Sequence, residues 1–149
     1  LINIDFDNVG RWAEKRGLPY TTYADFSQKP EVYALIRQDV EAVNRTLPAA
    51  ARVQKFVLLH KEFDADEGEM TRTRKLRRRV LAERYAVILQ ALYAGQATVQ
   101  VSTTIQYQDG RQATLTTALR IETLDGEAAA SIQPASPAKA IPVSEEMNL

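Results

Sequence analysis

Six basic side chains stand close together near the middle of this 149-residue sequence. They are Arg72, Arg74, Lys75, Arg77, Arg78 and Arg79. An acidic loop comes directly before them and contains Asp64, Asp66, Glu67 and Glu69. Because guanidinium groups are not buried without partners, we expect this basic run to face out of its own domain, toward something anionic.

Apolar residues at helical spacing follow the basic run. The first stripe is Leu81, Tyr85, Ile88 and Leu92, and the second is Leu76, Val80, Val87 and Ala91. This spacing predicts a helix with a broad buried face, continued back through the basic run. The first turns of that helix are expected to project past the core and carry the charges.

Composition limits the alternatives. With 19 basic and 19 acidic residues the formal net charge is zero, so the basic charge is a local feature of the chain. The sequence has no cysteine, which excludes disulfides and thiolate metal sites and suits a cytoplasmic location. His60, the single histidine, is interpreted as a surface or strand-end residue, and no apolar run approaches the length of a membrane span.

The acidic loop has a superficial likeness to a calcium-binding EF-hand loop. Gly68 falls one place too early for that motif, and Lys75 stands where the bidentate glutamate is required. No metal site is therefore expected.

The order of predicted elements indicates an α+β fold. A strand is predicted over residues 1–6 and is entered partway along, which indicates a piece of a longer protein. Asp7 is predicted to cap a helix that runs to about Arg16, and a connection without periodicity covers residues 20–29. Pro30 is predicted to begin a second helix, and residues 53–59 form a strand buried on both faces.

A β-hairpin is predicted after Gly95, with strands over residues 98–107 and 111–121. A three-residue loop, with Gly110 in a left-handed conformation, places the apolar residues of both strands on one face. The register that follows pairs Ile105 with Ala113 and Val99 with Leu119.

The predicted fold class is α+β, with a small mixed sheet flanked by about three helices. We expect three parts: a lid domain over residues 1–95, the Thr-rich hairpin extension over 96–124, and an irregular Pro/Ala-rich tail over 125–149. Ile132, Ile141 and Val143 of the tail are expected to dock in a groove, either of this chain or of a symmetry mate.

Several segments resemble the C-terminal region of the AMP-forming long-chain acyl-CoA synthetases, in the adenylate-forming superfamily. They are residues 56–59 with Phe63, the acidic loop, residues 69–78, and upstream residues 8–13 and 20–23. The resemblance covers residues 1 to about 95, and the hairpin looks like an extension found in a subset of these enzymes.

This resemblance implies a small domain that closes as a lid over a large N-terminal domain. A lysine of the lid reaches the fatty-acid carboxylate and the α-phosphate as the acyl-adenylate forms, and Lys75 matches it through the spacing of Thr73, Lys75, Arg77 and Arg78. The family commonly has Leu-Thr-Pro-Thr where this chain has Met-Thr-Arg-Thr at 70–73, and many members have Gly at the position of Arg74.

The resemblance also implies partners and cofactors for the full-length enzyme: ATP or AMP, magnesium, CoA, a fatty acid and the missing adenylation domain. Arg77 and Arg78 would contact phosphates of the nucleotide or CoA, or acidic residues of the large domain. The parts that bind ATP and the acyl chain lie upstream, so the fragment alone is expected to be inactive and to bind no cofactor tightly.

Other interpretations remain open. The basic run is also typical of a solvated helix start balanced by the neighbouring acids. A non-enzymatic binding module could use it to engage RNA or an acidic protein surface, although no aromatic residues interrupt it and no nucleic-acid motif is present, so we expect no nucleic-acid partner. A homodimer of the fragment and a peripheral membrane contact of the parent enzyme are also left open.

Overall fold

A computed structural model describes residues 1–106 and 112–124 of the chain. Within them the elements are α1 (Phe6–Glu14), α2 (Tyr23–Ser27), α3 (Pro30–Thr46), a 3-10 turn (Ala49–Ala51), β1 (Lys55–Val57), α4 (Arg78–Arg84), α5 (Ala86–Tyr93), β2 (Thr98–Gln106) and β3 (Gln112–Thr123). None of these helices is long and apolar enough to cross a membrane. The predicted hairpin loop with Gly110 and the predicted tail over 125–149 lie outside the described residues.

The three strands form one antiparallel sheet in the order β1-β3-β2. A single parallel bridge between Ile2 and Leu58 lies beside it. The α+β class is confirmed, and residues 1–106 and 112–124 contain five α-helices. The predicted hairpin register is also confirmed, since Ile105 pairs with Ala113 and Val99 with Leu119.

Helices cover both faces of the sheet. Residues 56–59 are at most 1% exposed, as predicted for a strand buried on both faces. The predicted start of that strand at residue 53 is wrong, because β1 begins at Lys55 and Val53 is 38% exposed. Phe56 and Leu58 pack in a cluster with residues of α1, α2 and α3, whereas Val57 and Leu59 pack with α4, α5 and the hairpin. Since successive residues of a strand point to opposite faces, the sheet separates two hydrophobic clusters.

The N-terminal segment differs from the prediction. Residues 1–6 form no strand beyond the bridge at Ile2, and the cap of α1 is Asp5 rather than Asp7. The Asp5 carboxylate accepts bonds from the backbone N–H of Asn8, at 3.1 Å, and from its side-chain amide, at 2.8 Å. Asp7 lies in the first turn, where its negative charge interacts favourably with the helix dipole.

A short helix, α2, was missed within the segment predicted to be irregular. Its five residues are too few to show periodicity, but its cap is of a common kind, because the Thr22 hydroxyl accepts the N–H of Asp25 at 3.1 Å. Aromatic packing holds it in place, with Phe26 fully buried against Phe6 and Tyr20. The predicted start of the next helix at Pro30 is confirmed.

The prediction of a helix through the basic run is wrong. Helix α4 begins only at Arg78, and a break at Tyr85 separates it from α5. The first apolar stripe is buried or half-buried as predicted, but in the second stripe Leu76 is 49% and Val87 60% exposed. Residues 69–77 instead fold back on themselves, because local bonds satisfy backbone groups that a helix would otherwise use.

Candidate active-site hairpin

Residues 69–77 form a tight turn-back, here named the basic hairpin. Met70 and Leu76 form an antiparallel bridge across it. At its open end the N–H of Arg77 donates to the carbonyl of Glu69 at 2.9 Å. The basic hairpin therefore enters and leaves at one place, immediately before α4.

Thr71 holds the backbone of Lys75 on both sides. Its N–H donates to the Lys75 carbonyl at 2.8 Å, and its hydroxyl accepts the Lys75 N–H at 3.0 Å. The turn between them is closed by the N–H of Arg74, which donates to the Thr71 carbonyl at 2.9 Å. Arg74 has a φ of 60°, in the left-handed region that residues other than glycine rarely adopt.

The cations of the basic run are exposed, as predicted, but they extend from a hairpin and a helix start. Within residues 1–106 and 112–124, five of them form no side-chain hydrogen bond or ion pair: Arg72, Arg74, Lys75, Arg77 and Arg78. Only Arg79 of the run is paired, with Glu83 at 3.1 Å on the solvated face of α4. These five cations are thus available to an external anion.

The neighbouring acids form no ion pair with the run in the described part of the chain, and two of them, Glu67 and Glu69, pair with other cations. Glu67 binds Lys61 at 2.5 Å and also contacts Arg84. The same two cations reach Glu69, with Lys61 Nζ at 3.2 Å and Arg84 Nη1 at 3.1 Å from Oε1. The interpretation of a helix start neutralised by its own acidic loop therefore has no support from these contacts.

Glu69 is fully buried at the base of the basic hairpin. Besides the two cations, its carboxylate accepts the N–H of Asp64 at 2.9 Å and the hydroxyl of Tyr85 at 2.8 Å. Its own N–H donates to the Asp64 carbonyl at 3.0 Å. A buried carboxylate needs this kind of compensation, since an unpaired buried charge is strongly destabilising.

The ionisation states follow from these contacts. Burial acts to raise the pKa of Glu69, but the bonds from Asp64, Tyr85 and Lys61 outweigh it, and the pKa lies below its ordinary value. Burial, reinforced by the carboxylate of Glu69, raises the pKa of Tyr85. Glu69 is therefore an ionised acceptor and Tyr85 a neutral donor near neutral pH.

A groove of about 440 Å³ lies beside this network, between α5 and β2. His60, Lys61, Tyr85, Val87 and Val101 are among its lining residues. His60 is half-buried just after β1, in agreement with its interpretation as a strand-end residue. Burial, followed by the nearby charge of Lys61, lowers the pKa of His60.

The structure places the three predicted site residues in one region. Lys75 lies on the returning arm of the basic hairpin, Arg77 at its end and Arg78 at the first position of α4. Sequence reasoning missed Thr71, Glu69 and Tyr85. A threonine four positions before Lys75 is a detectable turn signal. The pairing of Glu69 with Tyr85 joins residues 16 apart and has no periodic signal.

Comparison with known proteins gives one family match. The profile described as "AMP-binding enzyme C-terminal domain" matches residues 18–97. Long-chain-fatty-acid–CoA ligase FadD15 of Mycobacterium tuberculosis is 31% identical over 94 residues, which are 62% of this chain and 16% of that protein. The protein fadD11 of the same organism is 33% identical over 101 residues, which are 68% of this chain and 18% of fadD11.

A vertebrate relative shows a similar match. Long-chain-fatty-acid–CoA ligase ACSBG2 of Gallus gallus is 35% identical over 86 residues, which are 56% of this chain and 11% of that protein. The chain thus spans less than one fifth of the length of these curated relatives. No solved structure gives a significant match.

Proposed function

Because this chain belongs to the family of AMP-binding enzyme C-terminal domains, we propose that it is the C-terminal part of an ATP-dependent, AMP-forming long-chain fatty acid–CoA ligase. In this proposal Lys75 is the lysine that the lid contributes to acyl-adenylate formation. One observation carries the assignment: Thr71 fixes the Lys75 backbone on both sides, while the Lys75 side chain is exposed and forms no ion pair in the described part of the chain.

The proposed chemistry needs a positioned cation. A carboxylate oxygen of the fatty acid attacks the α-phosphorus of ATP, the bond to the bridging oxygen breaks, and pyrophosphate leaves. Both reactants are anions, so an ammonium group between them reduces their repulsion and stabilises the charge of the transition state. Lysine suits this role because it is a compact charge on a long, flexible stem.

The second half-reaction does not need the Lys75 ammonium in this role. The CoA thiolate attacks the acyl carbonyl of the adenylate, and AMP leaves with the electron pair of the broken bond. We propose that Arg77 and Arg78 contact phosphates of the nucleotide or of CoA, or acidic residues of the large domain. Their exposure and lack of ion pairs within residues 1–106 and 112–124 support all three assignments equally.

Magnesium would be held elsewhere in such an enzyme. Among the residues that the structure describes, no group of three or more His, Cys, Asp or Glu side chains could hold a metal ion. We also propose that the chain by itself forms no acyl-CoA, because a few cations cannot bind ATP and a fatty acid in reacting positions.

The test replaces Lys75 with Ala in the full-length ligase that carries this chain. Fatty-acid-dependent pyrophosphate release measures adenylation, and thioester formation from supplied acyl-adenylate measures the second half-reaction. We expect adenylation to fall by roughly 10²–10³-fold, the usual cost of losing one charge-stabilising group, while thioester formation continues. Lys15→Ala, which removes an exposed lysine just after α1, is the control.

If both half-reactions of Lys75→Ala run at the wild-type rate in a folded protein, Lys75 is not the lysine of adenylation. The basic hairpin is then better treated as a surface for an anionic partner, and RNA or an acidic protein becomes the next ligand to test.

A further inference from the structure

We infer that Glu69 is a positioning residue for Lys75: its buried carboxylate fixes the basic hairpin to the core and so determines where the Lys75 ammonium can reach. This inference rests on the proposed function of Lys75. In this role Glu69 touches neither the substrate nor the reacting atoms and acts through the backbone of the hairpin.

Most of the described bonds of the basic hairpin are internal to it. Thr71, Thr73, Arg74 and Lys75 make their described bonds within the hairpin itself. Arg77 leads into α4 through the bond from Leu81 N–H to its carbonyl. Apart from that junction, the described hydrogen bonds and ion pairs that connect the hairpin with the rest of the chain are those of Glu69.

Glu69 connects three parts of the structure. Asp64 belongs to the acidic loop, Lys61 follows β1, and Arg84 and Tyr85 stand at the junction of α4 and α5. All of them donate to one carboxylate that has no exposed surface. A substitution of Glu69 would therefore change the position of the basic hairpin relative to the core.

The site requires a carboxylate because each of its four partners is a donor. An amide at this position would present its NH₂ group to some of those donors, while keeping nearly the same volume. Glu69→Gln thus breaks the contacts without opening a cavity. Glu67→Gln is the matched control, because Glu67 contacts the same Lys61 and Arg84 but its side chain is 46% exposed and has no described bond to the hairpin.

The experiment is a double-mutant cycle in the full-length ligase, with both half-reactions measured. We expect Glu69→Gln to lower adenylation by roughly 10–10²-fold, as for a misplaced catalytic group, and to leave thioester formation from supplied acyl-adenylate close to wild type. In a Lys75→Ala background, Glu69→Gln should cause no further loss of adenylation. Glu67→Gln should stay close to wild type in both half-reactions.

Equal losses from Glu69→Gln with and without Lys75, or equal losses in the two half-reactions, would overturn the inference and leave Glu69 a purely structural residue. Should the Gln variant fail to fold, Tyr85→Phe takes its place in the same cycle. It removes one hydrogen-bond donor to Glu69 and keeps the aromatic ring. The two hypotheses fail in different ways. An intact adenylation rate in Lys75→Ala defeats the proposed function, whereas a lost rate there with an intact rate in Glu69→Gln defeats the positioning role alone.

Discussion

The hydroxyl of Tyr85 donates a 2.8 Å hydrogen bond to the carboxylate of Glu69, 16 residues earlier in the chain. Tyr85 is also the residue at which α4 ends and α5 begins. Its ring packs edge-on against Phe63, with the centroids 6.2 Å apart. One side chain therefore joins the base of the basic hairpin to the break between the two helices and to the core under them.

Removing this hydroxyl should destabilise the fold. Tyr85→Phe keeps the ring against Phe63 but withdraws one donor from a buried carboxylate, which costs about 1–3 kcal/mol. Urea unfolding of the chain should show this as a lower midpoint with an unchanged slope. Tyr93→Phe is the control, since Tyr93 is 84% exposed and should change stability by less than about 0.5 kcal/mol. Equal midpoints for the two variants would contradict the role given to the Tyr85–Glu69 bond.

The charge of Glu69 predicts a dependence of stability on pH. The pKa of Glu69 is lowered in the folded chain from an ordinary 4.5, through the bonds that outweigh its burial. Its contribution is therefore present above pH 4.5 and is lost as the pH falls through the folded-state pKa.

Urea unfolding of wild type and Glu69→Gln across this range checks the sign. The stability difference between them should be largest near pH 7 and should shrink on acidification below pH 4.5, because a protonated Glu69 resembles glutamine. Glu83→Gln provides the comparison, since Glu83 is exposed and pairs only with exposed Arg79 in the described chain. A difference between wild type and Glu69→Gln that stays constant with pH would show that the carboxylate charge is not what matters.

Position 74 should tolerate glycine, because Arg74 has a positive φ. A side chain at φ 60° costs about 1–2 kcal/mol, and glycine removes that cost while losing about 0.5–1 kcal/mol to the greater freedom of the unfolded chain. Arg74→Gly should thus be neutral or slightly stabilising in urea unfolding. Arg72→Gly removes the same charge from a residue without positive φ, and it should be less stable than Arg74→Gly by about 1 kcal/mol. Equal stabilities would show that the turn is not strained.

The elements that could be predicted from sequence are those with local signals. Pro30 at a helix start, the continuous apolar run around Phe56, and the alternation that sets Val99 opposite Leu119 each depend on residues close in the chain or on one turn. The cap of α1 was predicted at Asp7 but lies at Asp5, whose carboxylate accepts the N–H of Asn8, because two aspartates two residues apart give the same local signal.

The basic hairpin could not be predicted in the same way. The apolar spacing from Leu81 onward is helical, and extending it backward through Leu76 ignored the backbone bonds that Thr71 offers to Lys75. The burial of the Glu69 carboxylate was even harder to predict from sequence. It depends on donors from Lys61, Asp64 and Tyr85 that meet only in the folded chain. Periodicity detects apolar faces and gives no signal for a compensated charge.

The hydroxyl of Thr71 is expected to affect activity through Lys75. Its hydroxyl accepts the Lys75 N–H at 3.0 Å, and Thr71→Val removes this acceptor with little change in shape, whereas Thr71→Ser keeps it. A bond of this kind contributes about 0.5–1.5 kcal/mol, so under the proposed function we expect adenylation by the full-length ligase to fall by up to about tenfold in the Val variant. Thr114→Val is the control, because Thr114 is exposed in β3 and its hydroxyl forms no hydrogen bond in the described structure. If Thr71→Val and Thr71→Ser are equally active, the hydroxyl does not position Lys75; if only the Val variant is slow, and its defect disappears in a Lys75→Ala background, Thr71 acts through Lys75.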